Sequence, residues 1–286
     1  MKVHSWLFVP ADSEKKLGKL NTISADAFIL DLEDSVATDN KPLARKLASG
    51  FIRNSEIEPE KLWVRINPLT SRHFENDLEA VMPAGPGGIV LPKSRSPEDV
   101  LALVSRLEAF EAGHGLVAGS TRILALVTET PQALFTLGGY SDCGPRLAGL
   151  TWGAEDLGSA IGSSMWRDGN GEWTPPFQLV RNLCLFAAHA AGVAAVDTIQ
   201  ADFGDVAGLT EECEEARRDG FNGKLAIHPA QVRVINKAFQ PSEAEIEQAR
   251  KVVALFEANP GAGVLELDGV MLDKPHLKAA RRILGL

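Results

Sequence analysis

The sequence predicts an α/β protein built on a closed (β/α)8 TIM barrel with a C-terminal helical extension. Eight strand-length apolar runs recur along the 286 residues, and most are separated by segments with helical spacing and helix-forming residues. Such alternation implies a parallel sheet. The runs are nearly continuous in apolar character, so both faces of the sheet should be buried, as when helices ring a closed barrel. Each run ends in a polar or charged cluster, and barrel enzymes build their sites at those C-terminal strand ends.

The first strand, 5–9, is followed by Pro10, Asp12 and a helix at 13–20. The second, 27–30, ends in Asp31, Glu33 and Asp34 before a helix at 41–53. The third, 62–66, carries Arg65 inside it and Asn67 after it, and leads to a helix at 74–81. The fourth, 88–91, reaches Lys93 and a helix at 97–112; the fifth, 123–127, reaches Glu129 and a helix at 131–137. The sixth, 147–152, ends at Glu155 and Asp156, and a glycine- and tryptophan-rich loop, 162–176, precedes a helix at 175–191. A loop of that size over a barrel mouth is more often functional than idle. The seventh strand, 194–196, ends at Asp197 before a helix at 211–220, and the eighth, 224–227, ends at His228. Three helical segments remain, 229–238, 242–258 and 275–284, with a short extended element at 261–272.

One barrel of roughly 250 residues with an extension accounts for the length. The catalytic barrel is assigned to 1–230, and 231–286 is expected to contact a neighbouring subunit. At 45% hydrophobic and 23% charged residues, the chain is neither disordered nor membrane-embedded. No apolar run approaches the roughly 18 to 20 residues of a membrane span. The start, Met1-Lys2-Val3-His4-Ser5, enters the first strand without the apolar stretch of a signal peptide, which predicts a cytoplasmic protein. A net charge of −9 opposes nucleic-acid binding, so any anionic ligand must meet a local basic site. Cys143, Cys184 and Cys213 are far apart, odd in number and without C-x-x-C spacing; packing is their expected role.

Among the strand ends, Glu129 and Asp156 follow neighbouring strands and are expected to converge. Two carboxylates, with water and substrate completing an octahedron, are how Mg²⁺ is usually held. Helix capping is the competing reading of both acids. Arg65, inside an apolar strand, must be paired or face a polar lumen. Its planar fork suits a substrate carboxylate, and a buried pair with Asp31 or Glu33 is equally open to it. Asp31, Glu33 and Asp34 are too many for capping alone; a third metal ligand, a hold on metal-bound water and an arginine partner are all open to them. Lys93 is open to Schiff-base chemistry, to ion pairing or to a phosphate contact. His228 is open to a base role or to a hydrogen-bonded, helix-initiating turn.

The motifs Ser5-Trp6-Leu7-Phe8-Val9-Pro10, Leu30-Asp31-Leu32-Glu33-Asp34-Ser35-Val36, Val64-Arg65-Ile66-Asn67, Leu91-Pro92-Lys93, Thr128-Glu129-Thr130, Trp152-Gly153-Ala154-Glu155-Asp156-Leu157, Gly223-Lys224-Leu225-Ala226-Ile227-His228-Pro229 and Met271-Leu272-Asp273-Lys274-Pro275-His276-Leu277 occur in that order. In order and spacing, over nearly the full chain, the sequence resembles the citrate lyase beta subunit-like branch of the CoA-thioester aldolase superfamily, which includes malyl-CoA and citramalyl-CoA lyases. The resemblance implies a Mg²⁺-dependent barrel with Glu129 and Asp156 as metal ligands and Arg65 as the arginine that grips the acid substrate. It further implies that Asp34 lies near the metal waters, that the backbone of Gly153 and Ala154 meets the bound acid, and that a CoA arm runs along the mouth. Asp273 matches an aspartate that completes the site of a neighbouring subunit, so a homotrimer with a site completed in trans is expected.

The reaction so implied cleaves a short 3-hydroxyacyl-CoA dicarboxylate, such as malyl-CoA or citramalyl-CoA, into acetyl-CoA and a 2-oxoacid. Alternatives are a thioesterase or malate-synthase-like activity on the same site, an aldolase on free 2-oxo-4-hydroxy acids, and a non-catalytic docking subunit. Lys93 and His228 recede in this reading, because a metal-stabilised enolate needs no Schiff base. Two positions depart from the family start Arg-Ser-x-Leu-Phe-Val-Pro-Gly: His4 replaces the arginine and Ala11 the glycine. The first is expected to remove a fixed positive charge that would meet CoA phosphates or a carboxylate.

Overall fold

In a computed structural model that describes residues 3–286, eight parallel strands close into a barrel in sequence order. Met1 and Lys2, part of the N-terminal reading above, lie outside the described residues. The strands are β1 (Ser5–Pro10), β2 (Ala27–Asp31), β3 (Leu62–Arg65), β4 (Gly88–Leu91), β5 (Arg122–Leu126), β6 (Leu147–Thr151), β7 (Ala194–Asp197) and β8 (Gly223–Ala226). Each pairs with the next, and β8 closes on β1 through Lys224 opposite Ser5. The surrounding helices are α1 (Glu14–Leu17), α2 (Lys41–Asn54), α3 (Phe74–Val81), α4 (Pro97–His114), α5 (Glu155–Ile161), α6 (Pro175–Ala191), α7 (Val206–Asp219) and α8 (Pro229–Ala238).

Alternation along each strand sorts two cores. Trp6, Ile29, Trp63, Val90, Leu124, Val196 and Leu225 fill the barrel, while Leu7, Leu30, Val64, Ile89, Ile123 and Leu150 pack outward. Burial of each such side chain stabilises the fold by roughly 1.5–3 kcal/mol. A Cβ on Gly88 would lie 2.2 Å from the Trp63 indole, so this glycine makes the room that lets Trp63 meet Trp6 edge-on at 4.9 Å.

Three local expectations are corrected. The segment 131–137 is not an α-helix: two 3₁₀ turns, Pro131–Phe135 and Leu137–Asp142, replace it. Gly138 and Gly139 disfavour a longer helix, and Gly139 is pressed against Pro97, whose Cγ would be 2.8 Å from an added Cβ. The helix expected at 13–20 shrinks to α1, which Ser13 caps and Gly18 ends. Conversely, α5 stands where the sequence suggested only strand end and loop. Glu155 and Asp156 occupy its first turn, where the helix dipole favours them, and Gly158 lets the Trp166 ring approach to 3.3 Å of where a Cβ would stand.

The chain divides between Phe239 and Gln240, later than the boundary expected at 230, because α8 packs on β1, β8 and α7. In the second unit, α9 (Glu243–Ala258) and α10 (Lys274–Leu284) pack together around Val252, Val253, Phe256 and Ala280. The extended element expected at 261–272 is an antiparallel hairpin of β9 (Val264–Leu267) and β10 (Val270–Asp273). Its two-residue turn, Asp268-Gly269, has φ of 52° and 80°, the left-handed pair that such tight hairpins require.

Candidate active site

At the C-terminal ends of the strands a cavity of about 300 Å³ is lined by Pro10, Asp34, Arg65, Glu129, Gly153 and Asp156, among others. Asp31 and Arg65 are opposed residues of β2 and β3, and both point into the barrel. The guanidinium grips Asp31 with two bonds, Nε to Oδ1 at 2.7 Å and Nη2 to Oδ2 at 2.6 Å. Nη1 pairs with Glu33 Oε2 at 3.1 Å, and the Phe8 ring lies under the group at 4.6 Å. Both readings of Arg65 are thereby compatible: the acids fix the fork, and N–H groups beyond the two bonded to Asp31 stay available for a ligand. Burial alone would raise the Asp31 carboxyl, but Arg65 outweighs it and the group sits below the usual range. The Arg65 cation is held charged by the same pair.

Lys93 stands at the centre of the remaining acids. Its ammonium is 2.6 Å from Glu33 Oε1, 3.0 Å from Asp156 Oδ2 and 3.2 Å from Asp34 Oδ2. Its backbone N–H donates to Glu129 Oε2 at 2.5 Å. Burial alone would lower the amine, but Glu33, Glu129 and Asp156 outweigh it and the net shift is upward. A protonated amine is a poor Schiff-base nucleophile, so the ion-pairing reading of Lys93 is the one this geometry supports. Its position was legible in part, since it is the other cation besides Arg65 among the strand-end residues.

Glu129 is buried and caps nothing; Thr130 holds the cap position of the next turn. Burial, then the charges of Glu33 and Asp156, push its carboxyl up to about 8 against the pull of Lys93. Burial likewise raises Glu33, with Arg65 and Lys93 opposing. Two cations therefore face five carboxylates, Asp31, Glu33, Asp34, Glu129 and Asp156. The site is short of positive charge and offers hard oxygen donors, which fits a small divalent cation. Among the described residues no three His, Cys, Asp or Glu side chains group closely enough to hold a metal ion alone. Asp31 is committed to Arg65, and Glu33 to Arg65 and Lys93; Asp34, Glu129, Glu155 and Asp156 also line the cavity.

Gly153 lies against Glu129, with 3.3 Å between an added Cβ and Glu129 Cγ, and its N–H donates to Thr128 Oγ1 at 3.2 Å. Ala154 is buried beside it. Trp152, also on the cavity wall, was not singled out as a site residue. It donates to Asp197 Oδ1 at 2.7 Å, and Asp197 is paired in turn with Arg181 and Lys224. Trp173, from the 162–176 loop, packs on Trp152 edge-on at 4.9 Å, with Arg167 3.7 Å above Trp173 and tied to Glu212. That loop therefore backs one wall of the cavity.

Other strand-end residues are structural. Asn67 bonds Asp77 and the Leu32 carbonyl. His228 caps α8, accepting from the Ala230 N–H at 3.2 Å and stacking on Phe203, so the helix-initiating reading of it holds. His4 precedes β1 at the opposite end of the barrel, where it bonds the Asn222 carbonyl. The charge lost there is therefore not lost from the mouth, which corrects the expectation for that position. Asp273 belongs to the second unit, where it caps α10 and pairs with His276 Nδ1 at 2.6 Å. The three cysteines are buried, as packing residues should be.

A family model described as HpcH/HpaI aldolase/citrate lyase matches residues 4–229. The chain belongs to this family. A second model, a C–C bond lyase of the TIM-barrel fold, matches 182–286. Among relatives within and near the family, a (3S)-malyl-CoA thioesterase of Cereibacter sphaeroides is 36% identical over 283 residues, covering 98% of this chain and 93% of the relative. A citrate lyase subunit beta-like protein of Mycobacterium tuberculosis is 35% identical over 279 residues, with 98% and 93% covered. The crystal structure of CitE from M. tuberculosis in complex with magnesium, acetoacetate and coenzyme A superposes with a TM-score of 0.82 at 33% identity, covering 99% of this chain and 97% of that one. Family membership makes this chain a lyase-type enzyme of the citrate lyase beta-like kind.

Proposed function

We propose that the chain is a magnesium-dependent enzyme that cleaves a short 3-hydroxyacyl-CoA dicarboxylate, such as malyl-CoA or citramalyl-CoA, into acetyl-CoA and a 2-oxoacid. The observation that carries this reading is the convergence of Glu129 and Asp156 on one cavity with a clamped but incompletely used Arg65. Glu129 and Asp156 would hold the magnesium, which when bound supplies Lewis-acid polarisation of substrate oxygens. Arg65 would take the substrate carboxylate on its remaining N–H groups, its orientation fixed by Asp31 and Glu33. The backbone at Gly153 and Ala154 would meet the bound acid, and Asp34, exposed at the lip, would orient water there.

Bond cleavage requires that the hydroxyl proton leave as the bond between the second and third carbons breaks. The oxygen becomes the carbonyl of the 2-oxoacid, and the bonding pair passes to the thioester enolate, which is protonated to acetyl-CoA. Asp273 of a neighbouring copy is assigned the proton transfer, in a homotrimer. Leu179 and Phe186, exposed on one face of α6, support a contact between copies. Mixing Asp273→Ala with Asp156→Ala and reassembling should restore part of the activity that each variant lacks; no recovery would remove the shared site.

The thioesterase relative, at 36% identity, favours a second reading, hydrolysis of the same thioester. Incubation with malyl-CoA, following free thiol and 2-oxoacid together, separates the two. Oxoacid without thiol means cleavage; thiol without oxoacid means hydrolysis. Neither product from any of malyl-, citramalyl- or β-methylmalyl-CoA would sink both.

A further inference from the structure

Lys93 holds both acids assigned above to the metal, and with different atoms. The backbone N–H fixes Glu129 at 2.5 Å, and the ammonium pairs with Asp156 at 3.0 Å. The same ammonium reaches Glu33 and Asp34. To do so the residue sits in the left-handed region, at φ 51°, a conformation unfavourable to any residue with a Cβ and one that clusters at functional sites. The two cations of the mouth thus differ in kind. Arg65 is forked onto Asp31 and Glu33 through three nitrogens, and its planar group is locked. Lys93 is a point charge on a flexible four-carbon stem, able to leave one set of acceptors for another.

We infer that Lys93 is the resident counter-cation of the site, exchanged for the divalent ion: its ammonium neutralises Glu33, Asp34 and Asp156 until the metal arrives, and is then released toward the anionic substrate. The inference rests on the magnesium reading above. An ammonium already on Asp156 Oδ2 repels a second cation seeking that carboxylate, so metal binding favours its displacement. Once displaced, its positive charge is free to meet an acid entering the same cavity. Lys93 is therefore a positioning residue whose removal should move metal and acid affinity in opposite directions. A lysine with a merely structural role would weaken both.

The test compares the wild-type chain with Lys93→Met, Lys93→Gly and Lys93→Arg by titration with Mn²⁺, followed by electron paramagnetic resonance, and then with oxaloacetate at saturating Mn²⁺. Lys93→Gly keeps the N–H on Glu129 and relieves the left-handed backbone, so it folds even where Lys93→Met does not. Both charge-removing variants should bind Mn²⁺ at least about tenfold more tightly, the scale of a lost like-charge repulsion in a water-accessible site. Both should bind oxaloacetate about tenfold more weakly, and Lys93→Arg should return both affinities toward wild type. Wild-type binding of Mn²⁺ with equal or weaker binding in a folded Lys93→Gly overturns the exchange alone. Failure of every chain, wild type included, to bind Mn²⁺ overturns the magnesium reading and the exchange with it.

Discussion

Two buried charge clusters occupy opposite ends of the barrel, and they are built on opposite rules. At the floor, where strands begin, Arg146 clasps Glu111 with Nη1 to Oε1 at 2.8 Å and Nη2 to Oε2 at 2.6 Å. The same carboxylate accepts from the Gly119 and Thr121 backbone at 2.8 and 3.0 Å. One cation meets one anion, each oxygen has two donors, and the carboxyl is held at about 2 despite its burial. At the mouth two cations meet five carboxylates, and buried Glu129 is pushed up rather than down. A closed, matched pair fastens α4 and the start of β6, while the unmatched cluster borders the cavity at the mouth. The fold class leads one to expect stability from a barrel's floor and chemistry from its mouth.

The comparison breaks most visibly at Glu129. Glu129→Gln removes one of the two carboxylates assigned to the metal, and turnover with Mg²⁺ should fall by roughly 10³-fold or more. The melting temperature of the metal-free variant should not fall, because the lost charge is one that burial opposes. A variant that loses stability along with activity would show the mouth to be a fastening like the floor. Next in size is Arg146→Met, which leaves Glu111 buried without its partner. It should lower unfolding free energy by about 3–5 kcal/mol, read by denaturant titration, while activity at a permissive temperature is retained. Loss of activity there would mean that the two ends are coupled.

The clusters should also titrate in different windows. Glu111 has a depressed carboxyl, so its contribution to stability is present above the ordinary value of 4.5 and is lost as pH falls toward about 2. Glu129 has a raised one: the folded chain holds its proton where the unfolded chain has released it. The metal-free protein therefore loses stability as pH rises from 4.5 toward about 8. Melting curves across both windows should show two opposite slopes. Glu129→Gln should reduce the upper one, which Glu33 shares, and Glu111→Gln the lower one, which Asp31 shares; a slope left unchanged by its own substitution assigns it wholly to another group.

Much of this contrast was legible in the chain. The apolar runs marked all eight strands to within a residue or two, because a strand buried on both faces has no polar position to blur it. An arginine within such a run had to be paired, and Asp31 lies opposite it in the register. What stayed hidden depends on distant packing. Lys93 turns left-handed although neither glycine nor asparagine signals it, because Glu129 and the surrounding acids hold it there. The second 3₁₀ turn after β5 brings Gly139 against Pro97 of another element, a contact that no local pattern announces. His4 precedes β1 and so stands at the end of the barrel away from the mouth, which the motif's spacing alone does not state.

The finest division lies within the mouth itself, between carboxylates fixed in the wall and those at its lip. Asp34 pairs with Lys93 at 3.2 Å, but its side chain is 61% exposed. Water therefore screens most of that attraction, and Asp34→Asn should change unfolding free energy by less than about 0.5 kcal/mol. Glu33, only 3% exposed, pairs with both Arg65 and Lys93, so Glu33→Ala removes an acceptor from each cation and should cost several times more. A calorimetric comparison of the two variants without metal ranks them. If Asp34→Asn proved the costlier, the lip would be part of the fastening, and the ammonium would owe its position to solvent-exposed Asp34 rather than to the buried acids beneath it.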